Sequence, residues 1–279
     1  MIDYIRENLS YPELFVKTHR VERKIKPTHI YYGTDKEQYF LYYEPKKRKS
    51  DVIIFWIHGG GWNTGSPRSF DHVGQRISDE GYRVISAGYR LSPKHKYPCQ
   101  IKDVCDCFNA AVTYLDKRDI DTKRIVVVGP SAGAHLASIL CYCKKVQDRY
   151  GVDISDIKGF VGFGGPYSFR DDQTRTMAYL ERLLFKKGYD MRNGEPVRLM
   201  DKNHIPMLLI HSRHDGLIGY ACAEDFKNRA EKLGNACELY EVKDKKNTHS
   251  WYVVGSFLKT RKENYTQDKF FSWIERIKD

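Results

Sequence analysis

Residues 129–133 read Gly-Pro-Ser-Ala-Gly, a G-x-S-x-G pattern centred on Ser131. A serine on a sharp strand-to-helix turn holds its hydroxyl clear of the backbone, where it can attack an acyl carbon. The flanking residues supply that setting: RIVVV runs into the pattern as a buried strand and AHLASILCYC leaves it as a helix. The glycines suit a crowded turn with no room for Cβ atoms, and the helix N-terminus behind Ser131 favours developing negative charge. A bare G-x-S-x-G also occurs by chance, and a helix N-cap serine in a glycine turn is the competing reading. The placement between strand and helix favours the nucleophile.

A second pattern, HGGGW at His58–Trp62, follows the apolar run DVIIFWI. Three glycines after a buried strand let the backbone approach a ligand and offer free N–H groups, which acyl transfer needs for the oxyanion of its tetrahedral intermediate. A flexible turn also uses glycines, but it does not explain their place at a strand end, where open α/β sheets bind ligands. A serine nucleophile further requires a base and a group that orients the base. Both follow in the chain order Ser, Asp, His. Asp215 lies past the PMLLIH strand in HSRHDGLIG, and His249 lies past the ELYEV strand in KNTHSWY. His211 and His214 sit too near Asp215 to occupy a separate loop, His135 is on the helix behind the serine, and His204 falls in a long segment between strands. Asp244, five residues before His249, is the rival to Asp215.

The elements that must position these groups alternate along the chain. Strand-like runs at 29–33, 38–43, 51–57, 83–89, 124–128, 158–163, 206–211 and 236–242 are separated by helical patterns at 69–80, 100–117, 132–147, 223–233 and 267–277. That alternation predicts an α/β fold with a mostly parallel sheet and helices on both faces. The runs at 51–57 and 124–128 are nearly continuous in apolar residues, as expected of strands covered on both sides. Residues 166–205, with a helical piece at 174–187, carry no strand pattern; such an excursion in a compact domain is usually a lid or binding segment. Residues 1–28 are read as a second covering piece. The whole of 1–279 is expected to form one domain with these two segments as a small cap.

Composition narrows the field. The chain has 279 residues, is 41% hydrophobic and 13% aromatic, and so carries too many core-forming residues for a disordered chain. No apolar run approaches the ~18 residues of a membrane helix. Asp3, Arg6 and Glu7 interrupt the apolar segment that a signal peptide needs, so no export signal is read at the N-terminus. The seven cysteines cannot all pair with one another, and their spacings do not fit a zinc site. Reduced structural thiols and a cytoplasmic protein are expected, with no metal and no cofactor. The formal net charge is +11, but the basic residues are scattered and no nucleic-acid-binding motif is present. The expected partner is a small molecule rather than nucleic acid or membrane; a homodimer is left open.

Taken together, HGGGW, GYRLSP (Gly88–Pro93), YP-x-x-I-x-D (Tyr97–Asp103), GPSAGAHLA (Gly129–Ala137), HSRHDGLI and THSW are similar to the motifs of an α/β-hydrolase of the hormone-sensitive-lipase-like esterase group, in the manner of small bacterial carboxylesterases and acetyl or feruloyl esterases. The resemblance runs from about Val52 to the C-terminus and holds in motif order. It implies Ser131 as nucleophile, Asp215 as acid and His249 as base. It implies an oxyanion hole from the backbone N–H groups of Gly60, Gly61 and Ala132, with His58 and Asp103 as structural anchors. Pro130 departs from the pattern, since many members carry Asp or Glu there, and Ala134 replaces a common glycine. Trp62, Tyr89, Tyr167, Phe169 and Trp251 stand beside the catalytic loops and are candidates to line the substrate pocket; packing in the core is the alternative for each. The reaction expected is hydrolysis of a carboxylic ester with a short acyl or aryl group. An amidase of the arylformamidase type is the alternative, and a non-catalytic ligand-binding scaffold a more distant one.

Overall fold

The computed structural model describes residues 2–170, 172–244, 246 and 248–277. The chain opens with helix α1 (Ile2–His19), followed by strands β1 (Thr28–Tyr31) and β2 (Tyr39–Tyr43). Next come β3 (Ile53–Ile57), α2 (Asp71–Asp79), β4 (Arg83–Ala87), α3 (Cys99–Asp116), β5 (Ile125–Pro130), α4 (Ala132–Tyr142), α5 (Lys144–Tyr150) and β6 (Ile157–Phe163). The remainder runs α6 (Arg175–Leu184), α7 (Pro196–Leu199), β7 (Met207–Ser212), α8 (Ala221–Leu233), β8 (Cys237–Val242), α9 (His249–Val253) and α10 (Tyr265–Ile277).

The strands form one sheet in the order β1-β2-β4-β3-β5-β6-β7-β8. β1 and β2 are antiparallel to their neighbours, and β4 through β8 pair in parallel. Period-two side-chain alternation splits the central strands between two cores. Ile53, Phe55, Ile57 and Val127 face α3, α4 and α8, while Ile54, Trp56, Val126 and Val128 face α2, α9 and α10. Burying each such side chain contributes about 1.5–3 kcal/mol. This two-sided burial explains the unbroken apolar runs of β3 and β5, and it fixes the ends of β3, β5, β7 and β8 along one edge.

Two expectations change in detail. The helix read at 132–147 is two helices, because Cys143 between them is extended (φ −102°, ψ 97°). No proline or glycine marks the break. Instead, side chains take over the carbonyls at the end of α4: Gln147 donates to Leu140 and Cys141, and Asn203 donates to Cys141. The second change is at the N-terminus, where 1–28 contains an 18-residue helix with Pro12 inside it.

All seven cysteines are free thiols. Burial pushes Cys99 and Cys222 up to about 11 and Cys237 up to about 12, and raises the other four as well. No helix among the described residues is long and apolar enough to cross a membrane.

Candidate active site

The turn from β5 to α4 sets Ser131. Its backbone is left-handed in φ (φ 52°, ψ −122°), a state that costs a non-glycine residue about 1–3 kcal/mol and persists only where the surroundings enforce it. The enforcement is visible. Ser131 N–H donates to Phe163 O at 2.7 Å, tying the turn to β6. A Cβ on Gly133 would lie 2.0 Å from the Ile57 carbonyl oxygen, so only glycine lets α4 start against the end of β3. The Ser131 side chain makes no cap hydrogen bond to α4. It stands at the N-cap position without capping the helix, which leaves its hydroxyl uncommitted.

At the end of β3, His58 is buried against Tyr89, their rings stacked 4.2 Å apart, and its Nδ1 lies 2.7 Å from Gly59 O. Burial lowers its pKa to about 4, so it is neutral at ordinary pH and serves as packing. The chain then turns back on itself, with the Gly60 carbonyl accepting from the N–H groups of Asn63 and Thr64. Gly60 has φ 107°, and a Cβ there would meet the Thr64 carbonyl oxygen at 2.3 Å. Among the described residues, the N–H groups of Gly60, Gly61 and Ala132 have no acceptor.

Asp215 follows β7 and is buried. Its Oδ1 accepts from the N–H groups of Leu217 and Ile218 at 2.9 and 2.8 Å, and its Oδ2 accepts from Tyr252 Oη at 2.5 Å. The same Oδ2 lies 2.7 Å from His249 Nδ1. Burial alone would raise the Asp215 carboxyl, but the charge and hydrogen bond of His249, with His211 and the Ile218 N–H, outweigh it and hold it below the usual range. Burial likewise pulls His249 down, yet the Asp215 charge and hydrogen bond outweigh it and hold the imidazole above its ordinary value. The two shifts share one cause, the close contact of Nδ1 with Oδ2.

The competing groups lie elsewhere. His135 is buried, with Nδ1 accepting from Trp62 Nε1–H at 3.3 Å and Nε2 2.7 Å from Gly194 O. His211 Nε2 contacts Ile218 O, behind Asp215. His214 lies 3.7 Å from Asp3, and His204 is exposed. The Asp244 carboxylate accepts from its own loop, at Lys246 N–H.

Ser131, His249, Gly60 and Gly61 line a single cavity of about 330 Å³. Its other walls differ from the expectation. None of Trp62, Tyr89, Tyr167, Phe169 and Trp251 lines it among the described residues. Trp62 is buried against His135, Tyr89 donates from its hydroxyl to His58 O, Tyr167 stacks on Phe226 at 4.5 Å, and Phe169 packs on His135 and Phe185. Trp251 lies under Lys17 Nζ and against Gly255. Nearness to a catalytic loop in sequence does not set the direction of a ring, and these large apolar surfaces turn to the core. The cavity wall comes instead from α1, through Tyr4, Glu7, Tyr11 and Leu14, and from α6, through Leu180. The spacing 4, 7, 11, 14 is a helical stripe; Pro12, which removes a backbone donor in mid-helix, obscures it.

A sheet of this order with a serine on the β5 turn, an amide loop after β3, and an Asp–His pair from the loops after β7 and β8 has the architecture of an α/β-hydrolase. Comparison with known proteins goes further. The family model BD-FAE matches residues 41–230, and the chain belongs to that family. Esterase LipC of Mycobacterium tuberculosis is 28% identical over 234 residues, which is 78% of this chain and 58% of LipC. The chain spans about half the length of the first curated relatives it matches. Among solved structures, the Francisella virulence factor BioJ superposes with a TM-score of 0.77 at 21% identity, covering 97% of this chain and 91% of BioJ. Esterase B from Lactobacillus rhamnosis superposes with a TM-score of 0.78 at 18% identity, covering 99% of this chain and 97% of the esterase.

Proposed function

We propose that this chain is a serine hydrolase of carboxylic esters. The observation that carries the reading is the 2.7 Å pair of His249 Nδ1 and Asp215 Oδ2 at a cavity that also holds Ser131. With Nδ1 engaged, Nε2 is the nitrogen free to take the Ser131 Oγ proton as Oγ bonds to the acyl carbon. The acyl oxygen gains the charge, and the N–H groups of Gly60, Gly61 and Ala132 receive it. The imidazolium of His249 then gives its proton to the alcohol oxygen as the ester bond breaks, leaving an acyl-enzyme. Water, losing a proton to His249, bonds to the acyl carbon, and His249 returns that proton to Ser131 Oγ as the acid leaves.

A cavity of about 330 Å³ is at the small end of ligand sites, which supports short acyl or small aryl esters. The names of relatives such as esterase LipC support an ester substrate. The free thiols support a reducing compartment, and hence the cytoplasm. The N-terminal helix and α6 are read as the small cap of one α/β-hydrolase domain.

The test is labelling with a fluorophosphonate and turnover of p-nitrophenyl esters. Labelling of the wild type, its absence in Ser131→Ala, and faster turnover of acetyl than octanoyl ester are expected. Turnover surviving Ser131→Ala overturns the assignment. Faster cleavage of an N-formyl aniline than of p-nitrophenyl acetate moves the substrate to amides.

A further inference from the structure

Helix α1 brings a carboxylate against the residue that follows the base. Glu7 is only 2% exposed. Its Oε1 accepts from both the backbone N–H and the hydroxyl of Ser250, at 3.0 and 2.6 Å. Ser250 is the residue after His249. On the other side of His249, the hydroxyl of Thr248 lies 3.2 Å from that of Ser10, also on α1. The base is thus gripped through both of its chain neighbours by the helix that walls the cavity. Glu7 Oε2 makes no close hydrogen bond among the described residues, with the Tyr11 hydroxyl standing near the carboxylate. A clamp alone needs one acceptor, which a glutamine supplies; a buried carboxylate at this place is costly and calls for a use.

We propose that Glu7 is a positioning residue for His249, holding its loop through Ser250 and presenting a fixed negative charge to the imidazolium that forms at each proton transfer. This rests on the reading of His249 as the base. The titratable groups facing His249 are Asp215 and His211 from β7 and its loop, Tyr252 on α9, and Glu7 and Tyr11 on α1. Asp215 is the direct partner. Among the described residues, Glu7 is the only other carboxylate that raises the His249 pKa, and His211, buried and held below its ordinary value, adds no matching positive charge at neutral pH. Tyr11 and Tyr252 are both raised and stay neutral.

The experiment compares Glu7→Gln and Glu7→Asp with the wild type, using the pH dependence of kcat/KM on p-nitrophenyl acetate and thermal melting. Glu7→Gln keeps an acceptor for Ser250 but loses the charge. The imidazolium is then less favoured, so the acid limb moves to lower pH by roughly 0.5 unit, within the range that a neighbouring charge exerts. At the plateau kcat falls about threefold, the same half-unit of lost imidazolium stabilisation read as a rate, with KM unchanged. Glu7→Asp keeps the charge and is expected to keep the wild-type acid limb. An acid limb in Glu7→Gln that coincides with wild type overturns the proposal. So does a loss confined to KM, which assigns Glu7 to substrate contact, or an equal displacement in Glu7→Asp. If Glu7→Gln fails to fold, Glu7→Asp decides: a displaced acid limb in that variant overturns the proposal. Ser131→Ala and His249→Ala are run in parallel. Activity in either means that the triad reading has failed, whereas dead controls with an unmoved acid limb in Glu7→Gln mean that only the role of Glu7 has.

Discussion

The loops at the sheet edge and helix α1 meet at the same cavity, but different forces hold them. Ser131, Gly60 and Asp215 are fixed by backbone: a left-handed turn wedged against β3, a carbonyl shared by two amides, and a carboxylate receiving two N–H groups. Packed strands beneath leave these groups little freedom. Helix α1 is held mainly by side chains, through Glu7 with Ser250, Ser10 with Thr248, and Tyr4 with Thr176. It turns Ile2, Leu9 and Phe15 to the outside at 66, 75 and 64% exposure, and it contains a proline. The groups proposed for the chemistry thus sit mainly on the rigid sheet edge, while much of the cavity wall sits on a helix held by side chains.

The largest effects are expected at the fixed groups. Asp215→Asn keeps the shape but favours the wrong imidazole tautomer, and kcat is expected to fall by about 10⁴; a loss under tenfold would detach Asp215 from the reaction. Gly60→Ala places a Cβ against the Thr64 carbonyl in a strained φ, displacing an amide of the oxyanion site. Its kcat should drop by about 10²–10³ with little change in KM, as read from steady-state kinetics. A normal kcat would remove Gly60 from the site.

The pH profile is a gentler probe of the same fixed frame. His249 is held above its ordinary value by Asp215, so the base is protonated and idle below that pKa. Activity should be lost as pH falls through a midpoint above the ~6.5 of free histidine. A midpoint below 6 would show that burial outweighs the ion pair. On the variable side, Tyr11→Phe removes a hydroxyl from the cavity wall and should alter KM a few-fold while leaving kcat, since a single neutral hydrogen bond contributes about 0.5–1.5 kcal/mol. The smallest effect belongs to Leu9→Ser on the outer face of α1, which should leave both constants unchanged and stability within ~0.5 kcal/mol. A large loss there would erase the distinction between frame and wall.

The same division separates what could be read in the sequence from what could not. The strands were legible because burial on both faces writes unbroken apolar runs such as IIFWI, and the loops because GPSAG and HGGGW require glycine at particular steps. The cavity wall was not. Helix α1 mixes Ile, Tyr and Leu with charges and carries Pro12, so its inward stripe is weak. Glu7 reads as a signal-peptide interrupter in sequence and as a buried acceptor in the fold. The five aromatics chosen for the pocket show the limit from the other side, because loop adjacency places a Cα but leaves the ring to find the core. The break at Cys143 likewise depends on Gln147 and Asn203 arriving from elsewhere in the chain, which local propensity does not contain.

The elevated thiols have a practical outcome. With every sulfhydryl titrating well above neutrality, almost none is thiolate, the form that reacts. Alkylating agents such as iodoacetamide should therefore spare turnover, and a chemist can tag or block other nucleophiles in solution without first engineering the sulfur away.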